Sequence, residues 1–140
     1  MMLNREILMS RLCIEEDKRS KVYFDTKGIP TIGVGRNLRD VGLSEDEIMY
    51  LLKNDINRVE ADLDRRLPWW RLMDEVRQSV LADMCFNMGI NKLMGFVNTL
   101  RMMQAGDYLG ASKGMLNSLW AAQVHGRADE LSRMMETGKY

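Results

Sequence analysis

Hydrophobic residues near the start of the chain change from helical spacing to strand-like spacing. Residues 3 to about 16 place apolar side chains three or four positions apart, which predicts an amphipathic helix on Leu3, Ile7, Leu8 and Leu12. A turn signal, Asp25-Thr26-Lys27-Gly28, then separates two strand-like runs, Val22-Tyr23-Phe24 and Thr31-Ile32-Gly33-Val34-Gly35. Pro30 suits an edge strand, because proline has no amide hydrogen for a sheet ladder. The pattern predicts a helix and then a small hairpin, the clearest β region of the chain.

A long helix is predicted after the hairpin. Ser44-Glu45-Asp46-Glu47 is a capping box, in which Ser44 satisfies the amide of Glu47 and the Glu47 side chain reaches back to the Ser44 amide. Pro68 ends the apolar helical pattern that follows. About 20 residues rising ~1.5 Å each make a rod of roughly 30 Å, the diameter of a small domain. We expect this rod to link two lobes.

Every element predicted after Asp74 is a helix. One apolar stripe ends at Gly89 and consists of Val76, Val80, Leu81, Met84, Cys85 and Met88. Further helices are predicted over about 96–104, 107–119 and 127–136. The 13 methionines fit a role as flexible filling of a hydrophobic core. The fold class predicted by these elements is α+β, mostly α-helical with a small antiparallel sheet.

Composition limits the classes of function. Hydrophobic residues make up 46% and charged residues 29% of the chain, which is typical of a globular protein. Lys and Arg together number 20, as do Asp and Glu, so nothing in the charge indicates a nucleic-acid partner. The first residues lack the apolar segment of a secretory signal peptide, and no window approaches the roughly 18 apolar residues of a membrane span. We therefore expect synthesis in the cytoplasm and no stable membrane insertion.

The cysteines and the histidine do not indicate a metal site. Cys13 and Cys85 lie on separate predicted helices and are expected to be free thiols that act as small hydrophobic side chains. His125 is the single histidine, and no Cys/His cluster accompanies it. We expect neither a metal nor a cofactor.

Two carboxylates and a hydroxyl near the hairpin are the candidate catalytic groups. Glu16 ends the first predicted helix, Asp25 lies in the turn, and Thr31 follows it on the next strand. Two carboxylates presented from different elements are the minimum equipment for glycoside hydrolysis, although their spacing alone is a weak signal. Phosphate binding by Gly33-x-Gly35 is disfavoured, since these glycines lie within a strand and not before a helix. A serine-type triad is disfavoured because His125 is accompanied by no G-x-S-x-G motif.

Several motifs together resemble one known family. The run Tyr23-Phe24-Asp25-Thr26-Lys27-Gly28, with Glu16 before it and Thr31-Ile32-Gly33-Val34-Gly35 after it, is similar to the catalytic signature of the phage-type lysozymes. These are the muramidase endolysins of tailed bacteriophages. Similarity to the family's central and C-terminal helices continues at Cys85-Phe86-Asn87-Met88-Gly89, Gly95–Arg101, Trp120-Ala121-Ala122-Gln123, Arg127-Ala128 and Thr137-Gly138. The resemblance covers nearly the whole chain in order.

The resemblance implies a lysozyme-like fold and a reaction. Residues 1–140 would form a single lysozyme domain, with a β-containing lobe at about 17–43, a linking helix at about 44–66 and a helical lobe from about 1–16 plus 67–140. The implied activity is hydrolysis of the β-1,4 bond between N-acetylmuramic acid and N-acetylglucosamine in peptidoglycan, which lyses the host cell. Glu16 matches the general acid, Asp25 the second carboxylate and Thr31 the hydroxyl that positions water. The family is regarded as inverting, for which the two carboxyl groups lie roughly 6.5–9.5 Å apart.

Binding residues and partners are also implied by the resemblance. Phe86 and Asn87 match positions that line the glycan groove, although a core role stays open for Phe86, and Arg127 matches an arginine that pairs with the catalytic glutamate. Gly35 is assigned to substrate binding because glycine lets a substrate approach the backbone closely. The implied protein is a monomer without cofactor that acts on peptidoglycan strands in the periplasm after release by a separate holin-type protein. Two rivals stay open: a lytic transglycosylase, for which one glutamate suffices, and a catalytically inactive peptidoglycan-binding or structural protein. Asp25 and Thr31 in register argue against both.

One position departs from the family pattern. Arg36 stands directly after the G-x-G strand, where well-known members carry histidine, and the matching partner position holds Asp55. We therefore expect an Arg36–Asp55 ion pair that ties the sheet to the long helix. The segment from Arg36 to Ser44 is short, so the extra strands of longer family members are expected to be absent.

Overall fold

The computed structural model describes residues 2–140, over which eight α-helices, a 3₁₀ helix and three strands are assigned. In chain order these are α1 (Arg5–Glu15), β1 (Arg19–Phe24), β2 (Pro30–Gly33), β3 (Arg36–Asn37), α2 (Glu45–Arg66), the 3₁₀ helix (Pro68–Leu72), α3 (Glu75–Met88), α4 (Ile90–Met94), α5 (Val97–Ala105), α6 (Tyr108–Leu116), α7 (Leu119–Val124) and α8 (Gly126–Thr137). The chain divides into a first compact unit that ends at Tyr50 and a second from Leu51 to Tyr140. The boundary lies within α2.

An antiparallel sheet with the strand order β1-β2-β3 forms the framework of the first unit. Tyr23 pairs with Thr31 and Phe24 with Pro30, and the register of β1 shifts further back along the strand. Thr31 also pairs with Asn37 on β3, a two-residue strand that the sequence did not predict. β2 is therefore the central strand, so the edge position suggested by Pro30 is wrong. Proline is tolerated here because it is the first residue of the strand.

The capping box predicted at the start of α2 is present. Glu47 Oε1 accepts a hydrogen bond from the Ser44 amide at 2.8 Å, and the Glu47 amide donates to Ser44 Oγ at 3.2 Å. The same Oε1 accepts from Arg36 Nη1 at 2.7 Å, and Arg36 also donates to the Gly42 carbonyl at 3.1 Å. The Arg36 hydrogen bond, followed by those from Ser44, lowers the pKa of Glu47 to about 2.

The expected Arg36–Asp55 pair is replaced by two other pairs. Arg36 takes Glu47, which lies in the first turn of α2 and already points back toward the preceding loop. Asp55 accepts from Arg58, its neighbour three residues along the same helix. Side chains three apart on a helix are adjacent, so Asp55 meets a cation locally.

The helices of the second unit enclose one hydrophobic core. α6 packs against α5 and α8, and α3 packs against α4 and α8. Buried side chains from most of these helices meet, including Leu63, Trp70, Val80, Leu81, Met84, Cys85, Leu93, Leu100, Met103, Ala111, Met115, Trp120, Leu131 and Met135. Five of the most buried are methionine or cysteine, in agreement with the predicted filling role of these residues.

Most predicted elements are present, and the fold class is confirmed. The helices expected at about 96–104, 107–119 and 127–136 are α5, α6 and α8. The second of these ends early, at Leu116, because Ser118 caps a new helix: its Oγ accepts from the Ala121 amide at 3.1 Å. Helices α4 and α7 were not predicted. Among residues 2–140, no helix combines the length and apolar character needed to cross a bilayer.

Candidate active site

Glu16 is presented at the end of α1 by a tight turn in the backbone. The Glu16 amide donates to the Leu12 carbonyl at 2.8 Å, and the Lys18 amide reaches back to the Cys13 carbonyl at 3.2 Å. Between them Asp17 adopts a left-handed conformation with a φ of 57°. This is a Schellman-type helix end, which satisfies the last carbonyls while the chain reverses direction. Glu16 is thus the C-terminal cap of α1, and its side chain is exposed.

Gly35 lies directly against the carboxyl group of Glu16. A Cβ atom at position 35 would stand 2.9 Å from Glu16 Oε2 and 3.3 Å from Glu16 Cδ. At these distances a side chain at position 35 would displace the end of the Glu16 side chain. β2 ends at Gly33, so Gly35 lies in the turn between β2 and β3 and not within a strand as predicted. This turn and the helix end bring the two predicted site residues together in the first unit.

Asp25 is fixed at the hairpin turn by backbone amides. Its Oδ1 accepts from the Lys27 amide at 2.8 Å and from the Ile29 amide at 2.9 Å. The loop closes further through the Gly28 amide, which donates to the Asp25 carbonyl at 2.9 Å. Asp and Asn favour such turns because the short side chain can take the place of a backbone acceptor. One carboxylate oxygen is thereby committed to the loop, and Oδ2 is left for other partners.

Thr31 is buried next to the hairpin turn. It is 4% exposed, and its hydroxyl donates to the Ile29 carbonyl at 2.8 Å. A hydroxyl has one proton to donate and two lone pairs that accept. In this arrangement the Thr31 hydroxyl can only accept a hydrogen bond from a water molecule.

The remaining predicted site residues lie in the second unit, around one face of α3. Arg127 Nε and Nη2 both donate to Asp83 Oδ1, at 2.8 Å and 2.6 Å. Asp83, Phe86 and Asn87 are three and four residues apart on α3, so their side chains share that face. The structure therefore brings Arg127 to the same side of α3 as Phe86 and Asn87. Its pairing with Glu16 stays a prediction.

Asn87 is oriented by Trp120 at the edge of an open cavity. The indole Nε1 of Trp120 donates to Asn87 Oδ1 at 2.8 Å, which leaves the Asn87 amide hydrogens free to donate. The Trp120 ring meets Phe96 edge to face, with centroids 6.3 Å apart. The cavity, of about 700 Å³, is lined by these aromatic rings together with Asn87, Asn117 and Gln123.

Two residues that bear on the candidate site were not identified from the sequence. Asp83 interrupts the apolar stripe of α3 with a single carboxylate, and that interruption could have marked it as a partner for a cation. Trp120 was noted only as part of the similarity to the family's C-terminal segment; it is 6% exposed, and its indole holds Asn87. Among residues 2–140, no group of three or more His, Cys, Asp or Glu side chains is arranged to hold a metal ion.

Comparisons with known proteins point to one family. The family model described as phage lysozyme matches residues 14–134. The chain is 30% identical to the endolysin of Salmonella phage P22, over 80% of this chain and 79% of that protein. It is 24% identical to probable T4-type lysozyme 1 of Dictyostelium discoideum, over 89% of this chain and 90% of that protein.

A third relative is much longer than this chain. The pre-baseplate central spike protein Gp5 of Enterobacteria phage T4 is 30% identical over 89% of this chain. The match covers 26% of the spike protein, so the chain spans about a quarter of that relative's length.

Proposed function

We propose that the protein hydrolyses the β-1,4 bond between N-acetylmuramic acid and N-acetylglucosamine in bacterial peptidoglycan, because the chain belongs to the phage lysozyme family. Lysozymes are glycoside hydrolases, and such enzymes use two carboxyl groups held by separate elements. The observation that carries the proposal is the first unit's arrangement of Glu16 at a helix end and Asp25 in an amide-bonded turn. We also propose the division implied by the resemblance: a β-containing lobe at about 17–43, a linking helix at about 44–66 and a helical lobe from about 1–16 plus 67–140.

The proposed reaction is a single displacement with inversion at the anomeric carbon. Glu16 donates its carboxyl proton to the leaving glycosidic oxygen. A water molecule attacks the opposite face of the sugar, and Asp25 Oδ2 accepts the water's proton, since Oδ1 is held by the Lys27 and Ile29 amides. Thr31 would steady this water by accepting a hydrogen bond, because its own proton goes to the Ile29 carbonyl.

Glycan binding is proposed for Phe86, Asn87 and Arg127. The sequence also assigns Gly35 to substrate binding, but its contact with the Glu16 carboxyl group favours a different role. Asn87 can offer two amide hydrogens to sugar hydroxyl or carbonyl oxygens, since Trp120 occupies its oxygen. Phe86 is 46% exposed and provides an apolar surface on the same face of α3. Arg127 keeps its guanidinium beside that face through Asp83.

The biological setting that we propose is lysis of a bacterial host. The protein would be made in the cytoplasm, act as a monomer and reach the wall through a separate holin-type protein. This setting is supported by the relative from Salmonella phage P22, which is named an endolysin. The alternative reaction is that of a lytic transglycosylase, which forms an anhydro sugar in place of adding water.

Clearing of a bacterial cell-wall suspension tests the assignment of the acid. Glu16→Gln keeps the shape of the side chain and removes its proton, so we expect clearing to fall at least about a hundredfold. The matched control is Glu15→Gln, which changes the exposed neighbour on the same helix and should leave clearing within about twofold. Equal activity of wild type and Glu16→Gln would contradict the proposal. Mass spectrometry of the soluble products separates hydrolysis, which adds water, from anhydro-sugar formation.

A further inference from the structure

Gly35 is placed to act on Glu16 rather than on the substrate. The sequence assigned Gly35 to substrate binding, but the heavy atoms nearest to where its side chain would begin are those of the Glu16 carboxyl group. We propose that Gly35 is a positioning residue for the general acid, whose carboxyl group occupies the space that any side chain at position 35 would fill. This inference rests on the proposed function, because it gives Glu16 its catalytic role.

The distances carry the first step of the argument. A Cβ at Gly35 would be 2.9 Å from Glu16 Oε2, 3.3 Å from Cδ and 3.5 Å from Cγ. The first two are shorter than ordinary van der Waals contact between non-bonded heavy atoms, about 3.5 Å or more. A methyl group at position 35 would therefore push the end of the Glu16 side chain away from its present place.

The cost of that displacement falls on catalysis and not on folding. Glu16 is exposed at a helix end, and no other side chain is hydrogen-bonded to it among residues 2–140, so its carboxyl group can swing away freely. A proton donor, however, must lie within hydrogen-bond reach of the leaving oxygen. Misplacement by about 1 Å can lower a rate about a hundredfold.

The hairpin itself supplies a matched control. Gly33 has a φ of 69° and Gly35 a φ of 67°, so an alanine at either position adopts the same unfavourable left-handed backbone. A Cβ at Gly33 would meet nothing within 4 Å, whereas one at Gly35 meets the Glu16 carboxyl group. The backbone strain is therefore common to both variants, and the contact with Glu16 is particular to one.

The experiment compares Gly35→Ala, Gly33→Ala and Glu16→Gln on soluble, uncrosslinked peptidoglycan strands, with thermal unfolding of each. We expect both alanine variants to lose a similar amount of thermal stability. In Gly35→Ala, kcat should fall at least about tenfold with KM within about twofold of wild type. In Gly33→Ala, both constants should stay within about twofold.

Each other outcome counts against the inference. A raised KM with unchanged kcat in Gly35→Ala would restore the substrate-binding role. Equal losses of kcat in the two alanine variants would assign the effect to backbone strain. A further outcome is that Gly35→Ala unfolds while Gly33→Ala folds. If adding Glu16→Ala to Gly35→Ala then fails to restore folding, the contact with Glu16 is not the cause. An active Gly35→Ala beside an inactive Glu16→Gln overturns only the inference, and an active Glu16→Gln overturns the proposed function.

Discussion

Arg77 joins three parts of the second unit, and its removal should lower the stability of the fold. From α3 its Nε donates to the Met135 carbonyl at 2.6 Å and its Nη2 to the Glu136 carbonyl at 2.9 Å, both at the end of α8. Its guanidinium lies 3.7 Å from the centroid of the Tyr108 ring. Nη1 bonds to Asp74, the residue that caps α3. The side chain is 14% exposed, so these contacts are largely shielded from water.

The magnitude follows from these contacts. A hydrogen bond from a charged group contributes about 1.5–3 kcal/mol, and a cation over an aromatic ring about 0.5–2 kcal/mol. The loss is smaller than the sum of these values for two reasons. The two carbonyls lie at a helix end and regain hydrogen bonds to water when Arg77 is removed, and the contributions of coupled contacts are not additive. We therefore expect Arg77→Met, which keeps the aliphatic stem, to lower the free energy of unfolding by about 3 kcal/mol. For a domain of this size that is roughly 10 °C in Tm.

Urea and thermal unfolding followed by circular dichroism would measure the effect. Arg133→Met is the matched control, because Arg133 lies on α8 but is exposed and pairs with Glu130 in the same helix. Such a pair contributes about 0.5 kcal/mol or less. Arg77→Lys keeps the charge but loses the planar fork, so it should fall between the two. If Arg77→Met costs no more than Arg133→Met, the reasoning about buried guanidinium contacts is refuted.

Two further predictions concern titration and thiol reactivity. Glu47, with its pKa lowered to about 2 by Arg36 and Ser44, stabilises the fold fully above about pH 4.5 and progressively less as the pH falls toward 2. Glu47→Gln should therefore lower Tm at pH 7 and have little effect near pH 2, whereas an equal effect at both would contradict the assignment. Burial raises the pKa of the Cys85 thiol, which is 2% exposed, so maleimide should label Cys13 in the native protein and Cys85 only after unfolding. Early labelling of Cys85, read by peptide mass spectrometry, would show that the core opens.

The local placement of the candidate catalytic groups follows from neighbours close in the chain, whereas their roles were taken from the family resemblance. The helix end at Glu16 is closed by bonds from Glu16 to Leu12 and from Lys18 to Cys13, and Asp25 closes a turn with amides two and four positions away. Thr31 was predicted to position a water molecule. Its hydroxyl donates to the Ile29 carbonyl two residues back, so it can only accept a hydrogen bond from that water.

The sequence by itself determined the helical periods, the capping box at Ser44 and the hairpin turn, because these follow from rules that span about four residues. Only the tertiary structure decided which partner each charged side chain meets. Arg36 takes Glu47 and Arg127 takes Asp83, choices among 20 carboxylates that no spacing rule can rank. The contact of Gly35 with Glu16 is of the same kind. It joins residues that a hairpin brings back together, and it depends on a space of a few ångströms that exists only after the chain has folded.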